Sequence, residues 1–253
     1  MSLIVHQFAC LSDNYGFLIR DQASGKTATI DTPDAGAILS ELGKLGWGLD
    51  MIMNTHWHPD HAGGNAQIQA ATGAVIVGPG EVTRIAPLDR QVTDGDTVDL
   101  GETRFAVLDT GGHTLGHISY FDAADHIAFV GDTMFALGCG RLFEGTAQQM
   151  WTSLQKLAAL PDDTKVYCAH EYTASNARFA LSVDDGPALK ARAADIFAAR
   201  ARGEPTVPTT IALEKATNPF LRAPVLAGRV GKAGAPDYEA FGAVRAAKDG
   251  FKG

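Results

Sequence analysis

The sequence has few cysteines, no long hydrophobic run and a shortage of positive charge, and each shortage excludes a class of protein. Its three cysteines form no Cys-x-x-Cys pair, which argues against a disulfide framework and favours a reducing compartment. No apolar run approaches the roughly 18 residues of a membrane helix. Residues 1–11 lack the basic start of a signal peptide. We therefore expect a cytoplasmic protein that has no membrane partner.

The shortage of positive charge argues against a nucleic-acid partner. There are 21 Lys and Arg against 29 Asp and Glu, a net charge of -8, whereas nucleic-acid binding depends on neutralising phosphates. The balance is uneven, because residues 1–200 carry 13 basic and 24 acidic residues (-11) and residues 201–253 carry 8 and 5 (+3). The positive end fits either a solvated helix face or a local site for a small anion.

The pattern of the chain changes near residue 170. Before it, short hydrophobic strands alternate with turns and a few helices; after Tyr172, alanine-rich helical patterns and prolines dominate. The length of 253 residues allows one large domain or a domain with an appendage. We predict an α/β domain over residues 1–170 and a helical domain over residues 171–253.

A cluster of ligand-type side chains follows the hydrophobic strand Met51-Ile52-Met53. The segment reads Thr55-His56-Trp57-His58-Pro59-Asp60-His61. In an extended chain, residues two apart project on the same side, so His56 and His58 can reach one cation. The turn around Pro59 directs Asp60 and His61 toward a second position. Imidazole and carboxylate groups at this spacing indicate a metal site rather than an ordinary polar turn.

Four ligands cannot complete two metal spheres, and further donors follow later strands. They are His113 after Val107-Leu108, Asp132 after Phe129-Val130-Gly131, and His170 after Val166-Tyr167. Each residue alone fits a structural role, but together with the first motif they indicate a dinuclear site. Two cations held close together lower the pKa of a bridging water, and the resulting hydroxide attacks a polarised carbonyl.

These motifs resemble the metallo-β-lactamase superfamily and, within it, the glyoxalase II (hydroxyacylglutathione hydrolase) family. The superfamily motifs are Thr-His-x-His-x-Asp-His at 55–61, Gly-His-Thr at 112–114 and Gly-Asp-Thr at 131–133. The motifs that point to glyoxalase II are His-Glu-Tyr-Thr at 170–173, Asn-Pro-Phe-Leu-Arg at 218–222, and Arg245 with Lys248. Gly-Cys-Gly-Arg at 138–141 matches as well. They extend over almost the whole chain.

The resemblance implies a four-layer αβ/βα sandwich followed by a helical domain that helps to bind glutathione. It implies one metal on His56, His58 and His113, and a second on Asp60, His61 and His170, with Asp132 bridging both. Asp60 and Asp132 would then act in catalysis with the bridging hydroxide. The implied reaction converts S-D-lactoylglutathione, formed in methylglyoxal detoxification, to D-lactate and glutathione. We expect two divalent ions per chain, zinc first and iron or manganese as alternatives, in a monomer.

The resemblance also suggests residues for the thiol part of the substrate and its surroundings. They are Arg141, Phe143, Tyr172, Arg245 and Lys248. Phe143 replaces a common tyrosine and Arg141 a common lysine, which bears on the affinity for the thiol. Asp31 and Asp109 are candidates to orient the ligating imidazoles, although both also fit turn-forming roles. We expect a structural role for His117 and no catalytic role for Cys139.

Three other functions share parts of these motifs. An iron-dependent persulfide dioxygenase would keep a mononuclear site, which the full set of seven ligands argues against. A lactonase or β-lactamase would not need the glutathione-type C-terminal residues. A non-catalytic metal-binding protein is also conceivable, but a bridged pair of cations suits hydrolysis. The sequence therefore favours thioester hydrolysis.

Overall fold

The computed structural model describes residues 3–252, which divide into two compact units. Unit 1 comprises the chain up to residue 109 and residues 116–131; unit 2 comprises residues 110–115 and the chain from residue 132 onward. The predicted domains begin at residue 1 and end at residue 253, which lie outside the described residues. The predicted boundary at residue 170 stays a prediction.

Among the described residues, unit 1 contains ten strands and three α-helices. The strands are β1 (Leu3–Cys10), β2 (Asn14–Asp21), β3 (Thr27–Ile30), β4 (Met51–Met53), β5 (Val75–Gly78), β6 (Arg90–Gln91), β7 (Thr97–Leu100), β8 (Thr103–Asp109), β9 (Ile118–Asp122) and β10 (Ile127–Gly131). The α-helices are α1 (Ala35–Leu45), α2 (Pro59–Ala62) and α3 (Asn65–Thr72), and a 3-10 helix spans Gly80–Arg84.

The first sheet of unit 1 has the order β1-β2-β3-β4-β5-β6. Its first three strands are antiparallel, and β3 to β6 are parallel. Helix α1 begins after Asp34, whose side chain caps the N–H of Ala37, and ends at Gly46 in the left-handed region. Its buried Ile38 and Leu42 join the core that covers one face of this sheet. Burying each such side chain contributes roughly 1.5–3 kcal/mol.

The second group of strands in unit 1 packs against the opposite face of the first sheet. Strands β7, β8, β9 and β10 pair as antiparallel neighbours. Phe129 of β10 lies edge-on to Phe17 of β2, with ring centroids 5.7 Å apart. The hydroxyl of Tyr120 donates to the carbonyl of Asn54 at 2.8 Å. This bond fixes the backbone immediately after β4, where the predicted metal motif begins.

Unit 2 is mainly helical, as the sequence predicts for the C-terminal region. Its short strands are β11 (Met134–Phe135), β12 (Gly138–Cys139), β13 (Lys165–Cys168) and β14 (Thr209–Thr210). Its helices are α4 (Ala147–Ala158), α5 (Thr173–Val183), α6 (Pro187–Ala201), α7 (Ile211–Thr217), α8 (Ala223–Leu226) and α9 (Asp237–Asp249). A capping box of Thr146 and Gln149 begins α4.

The core of unit 2 lies between its helices. Helices α5 and α6 bury Ala177, Ala180, Leu189 and Ala193 in one cluster. A second cluster is aromatic, and its neighbouring rings have centroids 5.5–6.1 Å apart: Phe179, Phe220, Phe241 and Phe251. Aromatic pairs at this spacing add to the free energy gained by burial. No helix within residues 3–252 combines the length and the apolar character needed to cross a bilayer.

Candidate active site

The histidine motif of unit 1 lies directly after β4 and continues into α2. His56 and His61 are buried, and the side chain of Asp60 is 39% exposed. Nε2 of His56 lies 3.1 Å from Nδ1 of His58, and Nε2 of His61 lies 3.5 Å from Oδ2 of Asp60. Pro59 is the first residue of α2, and proline suits that position because its missing N–H is not needed there. The motif thus brings His56 and His58 together as one pair, and Asp60 and His61 as another.

Asp31 orients the motif from the end of β3. Its Oδ2 lies 2.9 Å from Nδ1 of His61, and its two oxygens accept hydrogen bonds from the N–H and hydroxyl of Thr55 at 2.7 and 2.8 Å. A proton on Nδ1 puts the lone pair of His61 on Nε2, the atom that faces Asp60. Asp31 has a φ of 56°, in the left-handed region that aspartate tolerates better than most residues. This contact fits the predicted orienting role of Asp31.

His117, immediately before β9, lies against the motif. Its ring stacks on that of His56, with centroids 4.8 Å apart. Gly131, which has a φ of 46°, makes room for this packing: a Cβ there would lie 2.6 Å from Nε2 of His117 and 2.6 Å from Oγ1 of Thr55. The packing matches the structural role expected of His117. Asp109, the other candidate to orient a ligand, is exposed, and its N–H donates to Asp94.

Unit 2 brings together His113, Asp132 and His170. Oδ2 of Asp132 lies 3.3 Å from Nε2 of His113, and its Oδ1 lies 3.4 Å from Nε2 of His170. All three residues are buried. Nδ1 of His113 lies 2.8 Å from the carbonyl oxygen of Arg141, which puts the lone pair of the ring on Nε2. Both imidazoles therefore direct Nε2 at a single carboxylate.

The donor chemistry of these residues suits divalent cations. Each of the seven predicted ligands belongs to a group of three ligand-type side chains whose donor atoms lie within 4.8 Å of one another. The donors are imidazole nitrogens and carboxylate oxygens, which bind zinc, iron and manganese. Most of these side chains are buried, and backbone or carboxylate partners set the ring orientation of His61 and His113. Residues of this kind, oriented in this way, fit a divalent metal site.

Two predicted substrate-binding residues lie on one face of α9. Arg245 is buried: one Nη donates to the carbonyl of Cys139 at 2.9 Å and the other to Oδ1 of Asp249 at 2.8 Å. The ammonium group of Lys248 donates to the carbonyl and hydroxyl oxygens of Ser175, each at 3.2 Å. Burial, followed by the positive charges of nearby arginines, lowers the pKa of Lys248 to about 8.

The other three predicted substrate-binding residues are more exposed. Tyr172 stacks on His170, with centroids 4.7 Å apart and nearly parallel planes. Phe143 is 62% exposed and meets His113 edge-on at 5.2 Å. The side chain of Arg141 is 68% exposed, and its Nε lies 4.0 Å from Asp249. Unit 2 therefore places aromatic rings beside two of its ligand-type histidines.

The cysteines do not offer a nucleophile. Burial raises the pKa of the Cys139 thiol to about 11, against the opposing charge of Arg245. Burial also raises the pKa of Cys10 and of Cys168 to about 12. Because the thiolate is the reactive form, these thiols are inert at neutral pH. This agrees with the expectation that Cys139 has no catalytic role.

The sequence did not predict the long-range contacts that hold the candidate site residues in place. The carbonyl of Arg141 orients His113, and Ser175 holds Lys248, but neither contact has a sequence motif. The buried Glu214 accepts hydrogen bonds from the N–H of Leu137 and the amide of Asn218, which link it to the β11–β12 turn. Only Asn218 was singled out by the sequence, within the motif at 218–222.

Comparisons with known proteins agree with the fold. Residues 18–170 match the family model of the metallo-beta-lactamase superfamily, and residues 171–251 match that of the hydroxyacylglutathione hydrolase C-terminus. The hydroxyacylglutathione hydrolase of Maricaulis maris is 58% identical over 98% of this chain and 99% of its own. The one from Erythrobacter litoralis is 54% identical over 98% of this chain and all of its own. The crystal structure of ETHE1 from Myxococcus xanthus has a TM-score of 0.67 at 28% identity, covering 97% of this chain and 98% of that one.

The α/β fold and the His/Asp clusters define a metal-dependent enzyme of the metallo-β-lactamase fold, with a helical C-terminal region, as the sequence predicts. The C-terminal match and the full-length relatives narrow the class. The chain belongs to the hydroxyacylglutathione hydrolase family, the glyoxalase II enzymes. The predicted family is thus confirmed, and the relatives favour it over a dioxygenase or a lactonase.

Proposed function

We propose that this chain hydrolyses S-D-lactoylglutathione and related 2-hydroxyacyl glutathione thioesters to the hydroxy acid and glutathione. The reaction would be the second step of methylglyoxal detoxification. The observation that carries the proposal is the similarity to hydroxyacylglutathione hydrolases over the full length of the chain, including the C-terminal family match at residues 171–251. The cationic and aromatic residues of unit 2 support a thiol moiety that carries carboxylates.

The proposal includes two divalent ions per chain, zinc first and iron or manganese as alternatives. One would be held by His56, His58 and His113, the other by Asp60, His61 and His170, with Asp132 shared. The donor set supports two metal ions, because it consists of imidazole and carboxylate side chains whose donor atoms lie within 4.8 Å of one another in groups of three. When bound, two such ions supply hydroxide at neutral pH and polarise the thioester carbonyl.

Groups that contact the ligating histidines would hold them in place, and the cysteines would not act as competing nucleophiles. Asp31 holds the ring of His61 and the carbonyl of Arg141 holds that of His113, so neither imidazole needs to reorganise during turnover. The leaving thiolate needs little assistance from a proton donor. Burial raises the pKa of all three thiols, so they do not compete with water as nucleophiles at neutral pH.

For the thiol moiety, we propose that Arg245 and Lys248 bind a terminal carboxylate. The two residues are three positions apart on α9 and therefore share a face. Arg141 would add charge, and Tyr172 and Phe143 would line the approach to His170 and His113. A monomeric state, a cytoplasmic location and the lack of nucleic-acid or membrane partners remain predictions from the sequence.

The test combines metal analysis with turnover. We expect close to two metal ions per chain and hydrolysis of lactoylglutathione. Asp132→Ala should lower the metal content and reduce kcat/KM at least about 100-fold, because it removes a shared carboxylate. Asp162→Ala is the control, since Asp162 is exposed and pairs with Lys215 at the surface. One metal per chain together with oxygen uptake on glutathione persulfide would support the dioxygenase instead.

A further inference from the structure

Unit 2 contains a cluster of four basic side chains that have little acidic compensation. They are Arg141 after β12, Arg178 on α5, and Arg245 and Lys248 on α9. Asp249 is the acidic partner of this cluster within residues 3–252: it accepts from Arg245 at 2.8 Å and lies 4.0 Å from Nε of Arg141. With Lys248 protonated, four positive charges and one negative charge leave a surplus of three.

Arg178 is brought to this cluster by the contact between α5 and α9. The ammonium of Lys248 donates to both oxygens of Ser175 and lies 5.5 Å from the ring centroid of Phe179. Arg178 is three residues from Ser175, so the two share a face of α5. The charges of Arg245, Arg178 and Arg141 all act with burial to lower the pKa of Lys248, which places all three within electrostatic reach of its ammonium group.

Arg178 differs from the other members in its accessibility and its contacts. Its side chain is exposed, and it makes no hydrogen bond or ion pair with any residue between 3 and 252. Arg245, in contrast, is buried and already engaged by Cys139 and Asp249. Like charges that outnumber their acidic partners repel one another, and an anionic ligand relieves this repulsion. The surplus exceeds what a single carboxylate neutralises.

We propose that Arg178 is a further binding residue that contacts the second carboxylate of a thiol moiety that carries two carboxylates. The inference rests on the proposed function, in which Arg245 and Lys248 bind the glycine carboxylate of glutathione. Glutathione carries a second carboxylate on its γ-glutamyl residue. An exposed guanidinium can bind that group through two parallel hydrogen bonds. Arg178 would then help the enzyme to select glutathione over thiols that lack the γ-glutamyl group.

The test measures the affinity of S-methylglutathione by calorimetry, which does not depend on turnover. We expect Arg178→Ala to weaken binding about tenfold, since it removes a hydrogen bond to a charged group, and Arg178→Lys to weaken it less. Lys190→Ala is the matched control, because it removes an exposed positive charge from the next helix, α6. The control should leave the affinity within about twofold.

Two analogues identify the carboxylate that Arg178 contacts. The loss caused by Arg178→Ala should persist with the glycine ethyl ester of S-methylglutathione and disappear with S-methylcysteinylglycine, which lacks the γ-glutamyl group. An equal loss with both analogues, or a loss no larger than that of Lys190→Ala, would overturn the inference. If the unmodified chain hydrolyses lactoylglutathione and Arg178→Ala binds normally, only this inference fails. If the unmodified chain neither binds S-methylglutathione nor hydrolyses its thioesters, the proposed function fails as well.

Discussion

Unit 1 concentrates its four ligand-type residues within positions 56–61, whereas unit 2 assembles its functional residues from distant parts of the chain. In unit 1, a buried strand, a proline and a short helix place these side chains within one segment. In unit 2, His113 is oriented by a carbonyl 28 residues away, and Arg245 contacts a carbonyl 106 residues away. In unit 1 one local segment supplies the ligand-type residues, and Asp31 then orients it from 30 residues away, whereas in unit 2 the ligand-type residues meet only through tertiary packing. Mutations should therefore affect the two units differently.

The largest effect on stability should come from Glu214, which organises unit 2. Glu214 is fully buried; its carboxylate pairs with Arg192 and accepts from Thr209, Asn218 and the N–H of Leu137. Glu214→Gln removes the charge and leaves the guanidinium without its carboxylate. Breaking a buried ion pair from one side costs about 3–5 kcal/mol. Unfolding in guanidinium chloride, monitored by circular dichroism, should show that the free energy of unfolding falls by this amount.

The neighbouring residue on α7 provides the control. Lys215 pairs with Asp162 at 2.8 Å, and both side chains are substantially exposed. An exposed pair contributes about 0–1 kcal/mol, so Lys215→Gln should change the unfolding free energy by no more than that. If Glu214→Gln were no more destabilising than Lys215→Gln, the buried network would not organise unit 2, and the contrast between the units would be lost.

This contrast also explains how much the sequence could predict. The strand before His56 lies where the sequence predicts it, and local side chains also set the caps of α1 and α4. The β11–β12 turn and its contact with Glu214 depend on side chains that meet only in the folded chain. Arg178 and Ser175 have no motif, because their positions follow from the packing of α5 with α9. Features set by neighbouring residues could be predicted from the sequence, whereas contacts between distant residues could not.

A smaller effect, on metal affinity, should come from Asp31 in unit 1. Asp31→Asn keeps a residue that tolerates the left-handed φ of 56°. The carboxylate oxygens of Asp31 accept hydrogen bonds from Thr55 and face Nδ1 of His61. The substitution replaces one of these oxygens with an amide nitrogen, which donates hydrogen bonds instead of accepting them. Losing such an orienting group lowers metal affinity about 10- to 100-fold. Competition with a chromophoric chelator measures this directly.

Asp34→Asn is the matched control for Asp31→Asn, because it makes the same change three residues further along. Asp34 caps α1 by accepting from the N–H of Ala37, and asparagine caps helices about as well. The metal affinity of the Asp34→Asn variant should equal that of the unmodified chain. If Asp31→Asn also retained full metal affinity, the 55–61 segment would order itself without Asp31. The metal ligands of unit 1 would then depend less on long-range contacts than the structure suggests.

The smallest effect tests the electrostatics of unit 2 through pH. The pKa of Lys248 is lowered to about 8 by burial first and then by the charges of Arg245, Arg178 and Arg141. Its ammonium is therefore present below pH 8 and is lost as the pH rises above it, so binding of a carboxylate should weaken in that direction. Calorimetry with S-methylglutathione, which has no titrating thiol, should show a loss of up to roughly tenfold between pH 7 and pH 9. Lys248→Arg stays charged over this range and should abolish the pH dependence, because arginine does not titrate below about pH 12. An equal loss in Lys248→Arg would assign the titration to a group other than Lys248.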